Sequence, residues 1–276
     1  MKTILALILS LSFVAPGTSY ALSTDLSLMT QARRNYSKGR LDRAIALYNQ
    51  VNRESEYWLD ALEEKASALG RQRKYDETLA ILKTVLAPQF EGRISSSPYA
   101  IQAITQLKTC DYTGVLKTNK DFKKKFSQRI SDLENLPLEQ VLKIARKVEL
   151  TEETLGSLLK KLPRNILRDH RVAQHSAKYR KNGSKEYHLK VRIRYLAKLE
   201  LKEIAKTIDQ LSIAEAEVIH RANALVADSN RGRQGKIEKN MDVLVFPADE
   251  EVWFDELGHF KASVENCPGL KRRASL

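Results

Sequence analysis

Glycine, proline and cysteine are scarce in this sequence. Its 276 residues include eleven glycines, seven prolines and two cysteines. Because few residues break helices while Leu, Ala, Lys, Arg and Glu are abundant, we predict a mostly helical, all-α protein. The two cysteines do not form a CxxC pair, which argues against a redox-active role.

Motifs of the common enzyme classes are also missing. The sequence has no Gly-rich phosphate loop, GxSxG elbow or Cys–His nucleophile signature, and no two of its five histidines have the HExxH spacing. Glu251, Asp255 and His259 would share one helical face and could bind a divalent cation, although such spacing more commonly marks a solvated face. We therefore expect a non-enzymatic protein with no catalytic residues, no metal site and no cofactor.

The N-terminal segment, residues 1–21, is typical of a secretory signal peptide. Lys2 precedes an uncharged apolar run over residues 3–14, which is followed by a Pro-Gly break and small residues. The run is shorter than the roughly 20 residues that span a bilayer; the alternative is a buried N-terminal helix. We expect the mature chain to begin near Leu22, to lack a transmembrane segment and to be periplasmic or secreted.

Basic residues outnumber acidic ones. The chain has 47 Lys and Arg residues against 34 Asp and Glu residues, a formal net charge of +13. This balance favours an anionic partner, but it does not say which one.

A short helical pattern recurs in the first half of the chain. The stretch "GRLDRAIALYNQV" is followed by "RKYDETLAILKTV" at a spacing of 34 residues and by "CDYTGVLKTNKDF" at a spacing of 37. In the helices before these stretches Ala32, Ala66 and Ala103 coincide, and a small residue there lets two helices approach closely. The other matched columns are Leu41 with Tyr75 and Tyr112, Ala44 with Thr78 and Val115, Tyr48 with Leu82, and Val51 with Val85 and Phe122. On these residues the chain resembles the tetratricopeptide repeat (TPR) family, whose 34-residue units are helix-turn-helix pairs.

The chain departs from the family pattern at several positions. Only the first copy keeps the turn glycine, Gly39, whereas Arg73 and Cys110 stand there in the others, and the usual tryptophan and Leu-Gly of the first helix are absent in register. We assign residues 22–135 to a TPR-like repeat domain. The alternative is an ordinary helical bundle with accidental spacing.

The resemblance implies a binding surface. Stacked repeat units form a curved array in which the first helices line a concave groove. We predict that the partner-binding residues are Arg33, Tyr36, Arg71, Leu107 and Lys108, which would suit an extended peptide with a carboxylate or acidic side chains. The remaining lining positions are Met29, Ser37, Glu63, Ser67, Gly70, Ala100, Ile104. The alternative reading of the charged positions is a solvated surface.

The second half of the chain, residues 136–228, is organised differently. We predict helices, in chain order, over residues 136–150, 151–162, 163–181 and 185–227, with a turn at 181–184. The longest has a narrow apolar stripe, which predicts packing against one or two neighbouring helices. The stripe consists of Ala197, Leu201, Ile204, Ile208, Leu211, Ala214, Val218, Ala222 and Leu225. Self-association is the alternative to intramolecular cover.

Residues 229–276 begin with a polar, basic loop and end in an aromatic cluster. We interpret this region as a loop and a C-terminal anchoring segment; the alternative is an exposed patch that docks a partner. In an exported chain Cys110 and Cys267 are a disulfide candidate, closing a loop of about 157 residues worth on the order of 5 kcal/mol. The alternative is two independent buried thiols.

Two functional hypotheses follow from these patterns. The first is an exported scaffold or adaptor that binds protein or peptide partners of a cell-envelope assembly through the repeat groove. The second is a binder of an anionic envelope polymer, such as lipopolysaccharide, acidic glycan or nucleic acid, through "KDFKKKF" and "YRKNGSKEYHLKVRIRYLAK". Salt separates them, because polymer binding loses affinity steeply as salt rises.

Overall fold

The protein is all-α in the part of the chain that the computed structural model describes, which is residues 16–145, 158 and 160–230, with side chains for 24–143, 158 and 160–222. The helices are α1 (Pro16–Ser37), α2 (Leu41–Tyr48), α3 (Trp58–Arg71), α4 (Tyr75–Val85), α5 (Ser97–Lys108), α6 (Tyr112–Glu134), α7 (Leu138–Ala145), α8 (His170–Asn182) and α9 (Glu186–Asn230). The predicted all-α class is confirmed.

Contacts divide the described chain into two compact units. The first unit contains residues 16–87, and the second contains residues 88–230. The division falls within the predicted 22–135 repeat region, so the first two predicted repeats belong to one unit and the third belongs to the other. The predicted domain boundaries stay a prediction.

Three helical hairpins have the same turn, although only one has a glycine there. Gly39, Arg73 and Cys110 adopt φ of 72°, 62° and 64°. In each turn the following amide N–H donates to the carbonyl five residues earlier, at 2.8 to 3.0 Å. A left-handed backbone costs a residue with a Cβ about 1–2 kcal/mol, so Arg73 and Cys110 hold this conformation against their own preference.

The aligned columns of the sequence are buried, except for Leu41, Tyr75 and Tyr112, which are partly buried. Ala32, Ala66 and Ala103 are fully buried, which lets the two helices of each hairpin approach closely. The pairs α1–α2, α3–α4 and α5–α6 pack together, and α2 also packs on α3 inside the first unit. One core cluster of that unit is Met29, Ala32, Ala44, Tyr48, Val51, Ala61. Met29 was predicted to line the groove; this is wrong, because its side chain faces the core and is fully buried.

In the second unit, α9 packs against α5, α6 and α8 of the same unit. Its 45 residues are about 68 Å long. Buried residues recur along it at helical spacing: Leu189, Ile193, Leu196, Ala197, Ile204, Thr207, Leu211, Ala214, Val218. The predicted stripe agrees with this face in part, but it included Ile208, which is exposed, and omitted the buried residues before Ala197.

The predicted helix over residues 163–181 begins later than expected. Residues 164–168 form turns, and α8 starts at His170. Asp169 caps it, because a carboxylate oxygen accepts the N–H of Val172 at 2.9 Å, an arrangement worth about 1 kcal/mol. At the other end Gly183 has φ of 68°, so the chain turns within the predicted 181–184 stretch, although Lys181 and Asn182 still belong to α8.

Several sequence predictions fall outside the described residues. They concern the first 15 residues of the signal peptide, Cys267, the cation candidate Glu251–Asp255–His259, and nearly all of the segment 229–276. Residues 16–21 belong to α1.

Candidate functional site

Arg33, one of the predicted binding residues, is already paired. Its Nε and Nη2 donate to the carboxylate of Glu64 at distances of 2.6 to 3.0 Å, and Tyr48 donates to the same carboxylate at 2.9 Å. The hydrogen bond to Glu64 raises the pKa of Arg33, and burial raises the pKa of Tyr48 well above its usual range. The charge of Arg33 is therefore compensated, and the group joins α1, α2 and α3.

Tyr36 and Arg71, two further predicted residues, contact each other. The Tyr36 hydroxyl lies 2.8 Å from Ser67 Oγ, and Arg71 Cζ lies 4.9 Å from the centroid of the Tyr36 ring. Tyr36 is half-buried and Arg71 is exposed. Arg71 makes no ion pair with any described residue, so its guanidinium N–H groups remain available to an anion while the ring supports its position.

These residues form one surface of the first unit, which we call the α1–α3 face. It consists of Arg33 and Tyr36 on α1 and of Glu64, Ser67 and Arg71 on α3. Residues at spacings of three and four lie on the same side of a helix, so each helix presents one row. The face presents the guanidinium of Arg71, the ring of Tyr36 and the Arg33–Glu64 ion pair. No nucleophile on this face is in contact with a base.

The prediction that Glu63 lines this surface is wrong, because its side chain is buried. The glutamate on this face is Glu64, which contacts Arg33 and Tyr48. One signal was present: the pairs Arg33–Glu64 and Tyr36–Ser67 are each 31 residues apart. In a 34-residue repeat, this separation is one helical turn short of the equivalent position in the next copy.

Leu107 and Lys108, the remaining predicted binding residues, end α5 in the second unit. Leu107 is half-buried and Lys108 is exposed. Cys110 lies just beyond them in the turn before α6, where its sulfur accepts a hydrogen bond from Tyr112 at 3.4 Å. Its predicted partner lies outside the described residues, so the disulfide stays a prediction.

The second unit has a strongly basic segment around the α8–α9 turn. Residues 164–198 contain eleven Lys and Arg residues but only two acids. Both acids are paired, Asp169 with Arg192 at 2.6 Å and Glu186 with Lys190 at 3.0 Å. Seven exposed cations of this segment make no ion pair with a described residue: Arg171, Lys178, Arg180, Lys181, Lys185, Arg194, Lys198.

The other basic stretch, residues 120–126, is better compensated. Lys123 pairs with Glu215 on α9, and Lys125 pairs with Glu91. The α8–α9 segment, which includes the predicted stretch 179–198, therefore has a larger uncompensated positive charge than residues 120–126.

No family model matches this chain, and no curated protein or solved structure matches it either. Among the described residues there is no cluster of three or more His, Cys, Asp or Glu side chains that could hold a metal ion. No helix in that same part of the chain has the length and apolar character needed to cross a membrane.

Proposed function

We propose that this chain is a non-enzymatic binding protein of the TPR type, exported to the periplasm or secreted, that captures a protein or peptide partner of an envelope assembly. Three hairpins with the same turn and the same buried columns support the repeat assignment. The α1–α3 face is the proposed contact surface of the first unit.

One observation carries the proposal for the α1–α3 face. Arg71 is exposed, has no ion pair within the described chain and stacks on Tyr36. An arginine held in this way binds a carboxylate through two parallel hydrogen bonds. The proposed partner therefore presents a C-terminal carboxylate or an acidic side chain next to an apolar group that covers the Tyr36 ring.

A photo-crosslinking amino acid at Ser67 tests this contact. When the protein is mixed with an envelope fraction, the crosslinker at Ser67 should give a discrete partner band. The same group at Gln31, which is exposed on α1 and lies on another side of the helix because it is two residues from Arg33, should not. With the partner identified, Arg71→Ala should weaken binding at least tenfold, because a charge-assisted bidentate contact is lost. Arg34→Ala, one residue beyond Arg33 and exposed, is the matched control and should bind as wild type.

Export has its own test. The mass of the protein isolated from cells should correspond to a chain that begins near Leu22. Retention of residues 1–21 in that protein would contradict the proposal of export, while leaving the α1–α3 face untouched.

The second candidate, binding of an anionic polymer, is favoured by the seven exposed cations of the α8–α9 segment without an ion pair among described residues. Its affinity should fall steeply between low and physiological salt, because binding releases counterions. Capture at the α1–α3 face should depend far less on salt.

A further inference from the structure

Helix α9 has a second apolar side, opposite to the side that packs in the core. Tyr187, Val191, Tyr195 and Leu199 follow one another at a spacing of four residues, and their exposed fractions are 73%, 42%, 48% and 46%. Residues at this spacing form one slowly turning row on a helix. We call this row the outer stripe; it is about 18 Å long.

The apolar residues on the inner side of the same helical stretch are already buried in the core. Leu189 and Ile193 are buried in a core cluster with Tyr179 of α8. The outer stripe therefore takes no part in the packing of this core cluster. A helix that is apolar on two sides is typical of one that meets a second apolar surface.

The charges around the outer stripe that remain without an ion pair among the described residues are positive. Arg194, Lys198 and Lys202 are exposed on the same stretch of helix and make no ion pair with a described residue. The acids between residues 186 and 203 are Glu186, Glu200 and Glu203, and they pair with Lys190, Arg129 and Arg164 respectively. The surface therefore combines apolar side chains with uncompensated positive charge.

This combination selects the class of partner. A second copy of the chain would bring like charges together, which is unfavourable. A soluble polyanion would bind the cations, but it offers nothing to Val191 and Leu199. An anionic lipid surface offers both, since its headgroups attract Lys and Arg while apolar and aromatic side chains enter the boundary with the acyl chains.

We propose that α9 docks through its outer stripe on the surface of an anionic lipid bilayer, with Arg194, Lys198 and Lys202 on the headgroup phosphates. The helix lies along the surface and does not cross it. The Tyr195 ring, on which Arg192 stacks at 4.9 Å, lies at headgroup level. This proposal concerns the second unit and does not depend on the α1–α3 face.

Sedimentation of the full chain with vesicles tests the proposal. We expect binding to phosphatidylcholine vesicles that contain about one third phosphatidylglycerol and little binding to phosphatidylcholine alone. Replacing Arg194, Lys198 and Lys202 by Gln should lower the partition coefficient by roughly fivefold per charge removed. The double variant Val191→Ser/Leu199→Ser should lower it roughly tenfold or more, because less apolar surface leaves water.

A matched control separates the outer stripe from exposed apolar residues in general. Leu26 and Leu116 are exposed to nearly the same extent, 47% and 43%, and lie on α1 and α6. Leu26→Ser/Leu116→Ser should bind vesicles as wild type does. If hydrogen exchange of the α9 amides shows that Val191→Ser/Leu199→Ser destabilises the second unit, Tyr187→Ser, at the most exposed position of the stripe, replaces it and should also weaken binding.

Two results would overturn the proposal. One is wild-type vesicle binding by the outer-stripe variants, which would assign binding to charge alone. The other is binding to heparin, used as a soluble polyanion, without any preference for anionic vesicles, which would favour the polymer candidate. Neither result bears on crosslinking at Ser67, so the two proposals fail independently.

Discussion

Arg129 on α6 should be among the most costly arginines to remove from this protein. Its guanidinium donates to Glu200 of α9 at 2.8 Å and to the carbonyls of Lys160 and Leu162 at 2.6 and 2.8 Å. The second oxygen of Glu200 accepts the N–H of Arg164 at 2.8 Å. One side chain thus holds together α6, α9 and the segment that leads into α8.

The magnitude follows from burial. The side chains of Arg129 and Glu200 are only 15% and 14% exposed. Removing one partner of a buried ion pair costs about 3–5 kcal/mol, because the other charge remains buried without compensation. Arg129→Ala also leaves two carbonyls without this donor. Since the pair keeps a small exposure to water, we expect about 3 kcal/mol for Arg129→Ala.

Arg33→Ala is the matched comparison. Arg33 also pairs with a glutamate, Glu64, but those side chains are 49% and 30% exposed. Exposed ion pairs contribute about 0–1 kcal/mol. The same substitution at the two arginines should therefore differ by about 2 kcal/mol or more in the free energy of unfolding.

The assay has to report on each unit separately. Two compact units can unfold in separate steps, so a single melting temperature does not define either stability. Hydrogen exchange of α6 and α9 amides, followed by mass spectrometry in increasing urea, reads the second unit, and α1 and α3 amides read the first. If Arg129→Ala cost no more free energy of unfolding than Arg33→Ala, burial would not decide the contribution of these ion pairs.

Three further predictions can be checked on purified protein. Arg73→Gly should stabilise the first unit by about 1 kcal/mol because it relieves a left-handed residue, and Gly39→Ala at the equivalent turn should destabilise it by a similar amount; urea denaturation measures both. The hydrogen bond from Arg192 lowers the pKa of Asp169. The stabilisation that ionised Asp169 contributes to the fold is therefore complete above about pH 4 and is lost as the pH falls through the lowered pKa. Asp169→Asn should reduce the loss of stability at acid pH, and an unchanged pH dependence would contradict this. A non-reduced digest should contain a peptide pair joined through Cys110 and Cys267, and two free thiols in protein from its native compartment would rule the bridge out.

The repeat columns could be predicted because they depend on short-range spacing. Ala32, Ala66 and Ala103 were aligned from letters alone, and all three are buried. The second helices of the three hairpins begin at Leu41, Tyr75 and Tyr112, which are the residues of one aligned column. The spacing of apolar residues at the helical period is a local property. It is therefore recognisable also in the second and third copies, which have Arg73 and Cys110 in place of the turn glycine.

The candidate sites could be predicted less well, because they depend on rotational phase. One residue turns a helix by 100°, which is the whole difference between the buried Glu63 and Glu64 on the α1–α3 face. The sequence indicated that Arg33 and Arg71 were groove cations, and it could not show that only one of them is compensated. Asp169 was likewise missed as a cap, since the prediction began that helix at Pro163.

The order of letters by itself determined the helical class, the repeated hairpins, the long helix α9 and the excess of positive charge. Tertiary structure decided which of those charges remain available, because Arg129, Lys123 and Lys125 find carboxylates 71, 92 and 34 positions away, whereas Arg194 and Lys198 find none among the described residues. Periodicity is encoded within a few residues, but the pairing of two side chains on different helices depends on how those helices pack.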